Sequence, residues 1–145
     1  MKNNSSSLDY TRTTESYPYP HITNNDIQSI QIISNSICYG PCPEETDIIE
    51  QHLTISVIGK VYFSEYMYGE GFGKYKLRNK KILSISPDSV NIIYKNICKY
   101  IDNCLIPYAT DIGMWEMKVR LKKDISFNIK GSMSGVKLDD NTDLS

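Results

Sequence analysis

Residues 53–66 read LTISVIGKVYFSEY, and their period decides the fold class. Leu53, Ile55 and Val57 alternate with Thr54 and Ser56; after Gly59, Val61, Phe63 and Glu65 alternate with Tyr62, Ser64 and Tyr66. A period of two marks strands with one buried face, and a Gly between two such runs marks a hairpin. Parity sets the register. A two-residue loop pairs Val57 with Tyr62 and sends Val61 and Phe63 to the wrong face. A three-residue loop at Ile58, Gly59 and Lys60 pairs Val57 with Val61 and Ile55 with Phe63, joining both apolar sets. The second register is expected because it buries more.

Working outward, residues 26–33 (DIQSIQII) form a β-branched run that reads as a strand. Downstream, residues 86–103 (SPDSVNIIYKNICKYIDN) specify a helix. Ser86 suits the N-cap, Pro87 the first helical position and Asp88 the first turn. Val90, Ile93, Tyr94, Ile97 and Ile101 then make one apolar stripe. A second hairpin follows, with Trp115, Met117, Val119 and Leu121 alternating with Glu116, Lys118, Arg120 and Lys122; Ile125, Phe127 and Ile129 return on the same face. The expected fold class is α+β, an antiparallel sheet of about 4–6 strands packed on one main amphipathic helix at 86–103. Residues 1–26 read as a disordered polar tail, 27–131 as a single α+β domain and 132–145 as a C-terminal tail.

Composition bounds the function. The chain has 145 residues, 40% of them hydrophobic, which fits one domain with one core. A net charge of −1 argues against a dedicated polyanion binder. Twenty Ile, eleven Asn and a single Ala favour AT-rich codons and point to a bacterial or phage source. No apolar segment resembles a secretory signal, and none approaches the roughly 18 residues of a spanning helix. A cytoplasmic protein with reduced cysteines is expected.

Residues 36–43 (SICYGPCP) are where the chain looks most like chemistry. Cys38 and Cys42 flank Tyr39, Gly40 and Pro41, one residue more than the Cys-Gly-Pro-Cys of thiol-disulfide enzymes. Such enzymes place the first thiol at a helix N-terminus, which the short link to the Leu53 strand does not supply. Gly and Pro explain a turn without any reactivity, so a structural role is favoured. Zinc knuckles usually have about two to four intervening residues; Cys38 and Cys42 comply, but Cys98 and Cys104 do not. Cys98 reads instead as a small buried hydrophobe.

Other motifs fail on inspection. Residues 69–75 (GEGFGKY) lack both the leading Gly and the trailing Ser or Thr of a phosphate loop, and Lys74 replaces the third Gly of a dinucleotide fingerprint. They leave a loop with Phe72 at its tip. His21 and His52 sit in no nucleophile-base arrangement, and Glu44, Glu45, Asp47 and Glu50 read as an exposed acidic loop or helical turn. Asp111 reads as part of a turn into the Trp115 strand. No catalytic residue, metal or other cofactor is expected.

Charge is segregated. Lys74, Lys76, Arg78, Lys80 and Lys81 fall within eight consecutive residues, and Lys118, Arg120, Lys122 and Lys123 add a second group. Edge-protecting lysines on a solvated face account for such a pattern. The sharper expectation is a surface for an acidic protein partner, formed by Lys74, Lys76, Arg78, Lys80, Lys118, Arg120 and Phe72, with nucleic acid less favoured and no membrane. Whether the two basic rows adjoin depends on strand order.

The CYGPCP turn, the 53–75 hairpin with its Gly-rich loop, the capped helix and ATDIGMWEMKV (109–119) together resemble a family of small, functionally uncharacterised bacterial proteins. The resemblance runs from about residue 30 to 141, rests on the Cys-Tyr-Gly-Pro-Cys-Pro turn and the Asp-Ile-Gly-x-Trp-Glu segment, and implies a fold without assigned catalytic residues. Similar proteins continue past an Asp-Leu-Ser into another helix, which implies a shortened C-terminus here and a partly uncovered sheet. The expected function is a non-enzymatic interaction or regulatory module. The alternative from another class is a thiol-dependent oxidoreductase or metal-binding protein using Cys38 and Cys42.

Overall fold

Seven strands and one helix make up the fold: β1 (Ser7–Tyr10), β2 (Ile27–Asn35), β3 (Ile48–Ser56), β4 (Lys60–Met67), β5 (Lys76–Ser84), α1 (Pro87–Asn103), β6 (Met114–Leu121) and β7 (Ser126–Ser132). This computed structural model describes residues 7–10, 21–37, 40–103 and 113–132. The sheet order is β1-β7-β6-β2-β3-β4-β5. Strands β2 to β7 pair antiparallel, and β1 adds in parallel outside β7. The sheet therefore exceeds the 4–6 strands expected by one. The fold is α+β, dominated by its sheet.

Register gathers the apolar residues onto one face. Phe127, Val119, Ile30, Ile55, Val61 and Leu83 form one row across six strands; Ile129, Met117, Ile32, Leu53 and Phe63 form the next. Such cross-strand pairs of β-branched and aromatic residues are the stabilising unit of a sheet. Ile27 and Ile30 would face opposite ways on a regular strand. A register shift against β6 between Ile27 and Ser29 lets both be buried.

The first hairpin keeps the expected parity but moves the register by two residues. Ile55 pairs with Val61 and Leu53 with Phe63, so the loop is Val57, Ile58 and Gly59. The physical reason is Gly59, whose φ of 85° suits the third position of a three-residue loop. A Cβ there would also lie 2.3 Å from the Ile85 carbonyl oxygen. The second hairpin uses the same device without glycine: Asp124 takes φ 57°, and the Leu121 amide donates to the Ile125 carbonyl at 2.7 Å.

Helix α1 starts as its cap dictates. The Ser86 hydroxyl accepts from the Ser89 amide at 3.2 Å. Val90, Tyr94, Cys98, Tyr100 and Ile101 are buried in one cluster with Ile27, Ile30, Ile55, Val61, Met117, Val119, Phe127 and Ile129. The Tyr94 hydroxyl donates to the Ile55 carbonyl at 2.9 Å. Ile93 and Ile97, placed at the centre of the expected stripe, are only partly buried. The stripe is rotated toward Tyr94 and Cys98, because a tyrosine and a thiol do the burying that two isoleucines were expected to do.

The span read as an N-terminal tail holds two ordered features. Besides β1, Ile22 is buried in the core cluster, immediately before a 3-10 turn at Asn24–Asp26. The Asp26 carboxylate accepts from the Thr23 amide at 2.9 Å, and that bond lowers its pKa. An isolated Ile in a polar segment gives no periodic signal, so sequence reading passes over it.

Candidate functional site

The two basic rows do not adjoin. β6, carrying Lys118 and Arg120, lies four strand positions from β5, roughly 19 Å at about 4.8 Å per step. At physiological salt that is more than twice the Debye length of about 8 Å. Lys118 and Arg120 are exposed on the face opposite Met117 and Val119, and Arg120 contacts Asp124 at 3.4 Å. The candidate surface thus contracts to β5 and the loop before it.

On β5, Lys76 pairs with Glu45 at 3.0 Å, which raises the lysine pKa; both side chains are largely exposed, so the pair contributes little stability. Arg78 is the extra residue of a bulge, since Glu65 pairs with Asn79 and Tyr66 with Leu77. Lys80 faces the same side as its partner Ser64, and Lys81 the other, opposite Phe63. Lys74 is exposed at the end of the Gly-rich loop. Phe72 is 75% exposed, its ring 6.1 Å from Tyr75.

Apart from Phe72, the apolar component of this region went unread in the sequence. Of the eight large apolar side chains exposed among the described residues, Ile58, Tyr62, Phe72, Leu77, Ile82 and Leu83 lie on β4, β5 or their adjoining turns. Only Ile92 and Ile125 lie elsewhere. The available signal was a lack of pattern: KLRNKKILS has no alternation that would bury either face. Such a concentration on one end of a sheet marks an interaction site more often than scattered exposure does.

A second cluster was also missed. Glu50, read as part of an exposed acidic loop or helical turn, lies with His52 inside β3, and the acidic turn ends at Asp47. His52 Nε2 is 2.6 Å from Glu50 Oε1, and the other carboxylate oxygen accepts from Asn35 at 3.1 Å. Asn35 also donates to the Tyr75 hydroxyl at 3.4 Å, and the His52 ring sits 4.8 Å from that of Tyr66. The i, i+2 spacing of Glu50 and His52 is the legible signal, visible once 50–52 is read as strand. Each carboxylate oxygen has a partner, and the network ties β2, β3 and the β5 approach together.

Of the cysteine turn, Cys38 lies outside the described residues, as do Cys104 and Asp111. Cys42 is exposed, its Sγ 3.6 Å from the Tyr68 hydroxyl, a contact that raises the Tyr68 pKa. Cys98 is buried, which pushes its thiol up to about 11. Among the described residues, no group of three or more His, Cys, Asp or Glu side chains is placed to hold a metal ion, and no helix is long and apolar enough to cross a membrane. No family model, curated protein or solved structure matches the chain.

Proposed function

We propose that this chain is a non-enzymatic interaction module of the cytoplasm that captures an acidic protein partner at the β4–β5 end of its sheet. The observation that carries the reading is the interleaving there of exposed Leu77, Ile82 and Leu83 with Arg78, Lys80 and Lys81. Lysines that only guard an edge need no aliphatic neighbours in water. The reading takes α1 to cover the face carrying Ile30, Ile55 and Val119, supported by the Tyr94 bond to Ile55 and the shared buried cluster. The β5 end of that face is then left for a partner.

The thiol alternative has one described participant. A Tyr68 phenol whose pKa is raised stays protonated and offers Cys42 no base. The test is quantitative capture from native lysate. Replacing Arg78, Lys80 and Lys81 by Glu should remove salt-sensitive partners that wild type retains, while Cys42→Ser retains them. Equal recovery by the triple variant refutes the reading.

A further inference from the structure

We infer that the partner binds as an added strand on the outer edge of β5, and that it presents two adjacent acidic residues next to two adjacent aliphatic ones. The inference rests on the interaction reading above and deepens it.

The phase of the ladder says which backbone groups are free. The Ile85 amide donates to the Gly59 carbonyl at 2.9 Å, fixing Gly59 and Ile85 as a directly bonded pair. In an antiparallel ladder bonded and non-bonded pairs alternate. Lys81 and Leu83 therefore turn their amides and carbonyls toward β4. Lys80, Ile82 and Ser84 turn theirs away, and β5 is the outermost strand at that end of the order. A nine-residue outer strand without proline is a template for pairing, as an extended peptide on an open sheet edge uses it.

Side chains then select the occupant. Lys80 and Ile82 face one side of the sheet, and Lys81 and Leu83 the other, each basic residue two positions before an aliphatic one. None of Arg78, Lys80 or Lys81 has an ion-pair partner among the described residues. Directly opposite residues on neighbouring strands interact most strongly, and opposite charges there are favourable. A strand facing 80–83 is thus best matched by carboxylates against Lys80 and Lys81 and aliphatics against Ile82 and Leu83. Its sequence reads acid-acid-aliphatic-aliphatic if it runs parallel to β5, and the reverse if antiparallel. A second copy of β5 carries no Asp or Glu between Lys76 and Ser84, so it offers no carboxylate to Lys80 or Lys81 in any register.

The experiment uses the full chain and fluorescent peptides with Val-Val-Glu-Glu or Glu-Glu-Val-Val at their centre. Fluorescence anisotropy should show saturable binding of one of them, weakening as salt rises. Replacing its glutamates by lysine should weaken binding by at least about tenfold, and Lys80→Glu with Lys81→Glu in the protein should restore binding of that lysine peptide. N-methylation of alternate central amides keeps the charge but removes strand pairing, so it too should weaken binding by at least about tenfold. Undiminished binding of the N-methylated peptides overturns strand addition and leaves the acidic-partner reading standing. Absence of binding by either peptide, with partner capture still lost in the Arg78, Lys80 and Lys81 variant, does the same. A dimer in light scattering that Lys80→Glu with Lys81→Glu strengthens identifies a second copy as the occupant and overturns the proposal.

Discussion

Ile30 and Leu83 stand in the same cross-strand row on the same face of one sheet, yet Ile30 is 1% exposed and Leu83 55%. Three strand positions separate them. From β7 to β4 the residues of the row all belong to one buried cluster that also includes Tyr94, Cys98 and Ile101; at β5 the row runs out into water. One pattern of alternation therefore serves two purposes. Where neighbours complete the packing it makes a core, and where they stop it makes a surface able to accept another chain.

The largest test of that contrast is truncation at its two ends. Ile30→Ala should destabilise the protein by about 2–5 kcal/mol, as loss of transfer energy plus a residual cavity. Leu83→Ala should change stability by no more than about 0.5 kcal/mol, as at other exposed positions. Urea unfolding of both variants at constant m provides the measurement. A comparable loss at Leu83 would make β5 part of the core and remove the distinction.

What the sequence made legible follows the same line. The hairpin at 53–66, the helix with its Ser86 cap and the return at 125–129 were readable because each has a buried face, and burial imposes a period. The register of the first hairpin was legible in parity alone, since the apolar pattern does not say which of two loops with the same parity suits Gly59. Strand order was not legible. The basic residues 74–81 and 118–123 looked alike in sequence, and only the intervening β2, β3 and β4 separate them. The aliphatic part of the β5 surface, Leu77, Ile82 and Leu83, went unread because a strand with neither face buried carries no period. Glu50 and His52 went unread because their partners Asn35, Tyr66 and Tyr75 come from other strands and a loop.

The next sharpest lever acts where the two regions join. Gly59→Ala meets both a positive φ and the Ile85 carbonyl oxygen, 2.3 Å from the new Cβ. The strained loop should cost roughly 1–3 kcal/mol. Its effect should be local: hydrogen exchange at the Lys81 and Leu83 amides should accelerate while amides between β2 and β6 keep their protection. Uniform acceleration across the sheet would mean that β5 is no separate unit.

Alkaline pH probes the buried end through Tyr94 and Cys98. Burial raises the Tyr94 pKa to about 12 and the Cys98 pKa to about 11, from ordinary values of 10.0 and 9.0. Between the ordinary and the raised value the unfolded chain has lost the proton and the folded one keeps it, so stability falls as pH rises. Stability owed to these groups should be intact below pH 9 and decline from there to about 12. Cys98→Ala should remove the earlier part of the decline and Tyr94→Phe the later part. The phenylalanine variant also loses the bond to the Ile55 carbonyl, about 0.5–1.5 kcal/mol at neutral pH. A decline unchanged in both variants would place its source elsewhere.

The smallest expected effect is the one that isolates β5 as the binding end. Lys118→Gln with Arg120→Gln removes two exposed charges, one of them in contact with Asp124 at 3.4 Å. Exposed pairs of this kind are worth about 0–1 kcal/mol, so the melting temperature should barely move. These charges lie roughly 19 Å from β5, beyond the ~8 Å Debye length at physiological salt, so partner affinity there should be unchanged. At ~0.01 M salt the Debye length grows to ~30 Å, and the same variant should then slow association with an acidic partner without altering its dissociation. Measuring both rates by surface plasmon resonance at the two ionic strengths separates the outcomes. A faster dissociation at physiological salt would put β6 in direct contact with the partner and return the interface to the polar face of the whole sheet.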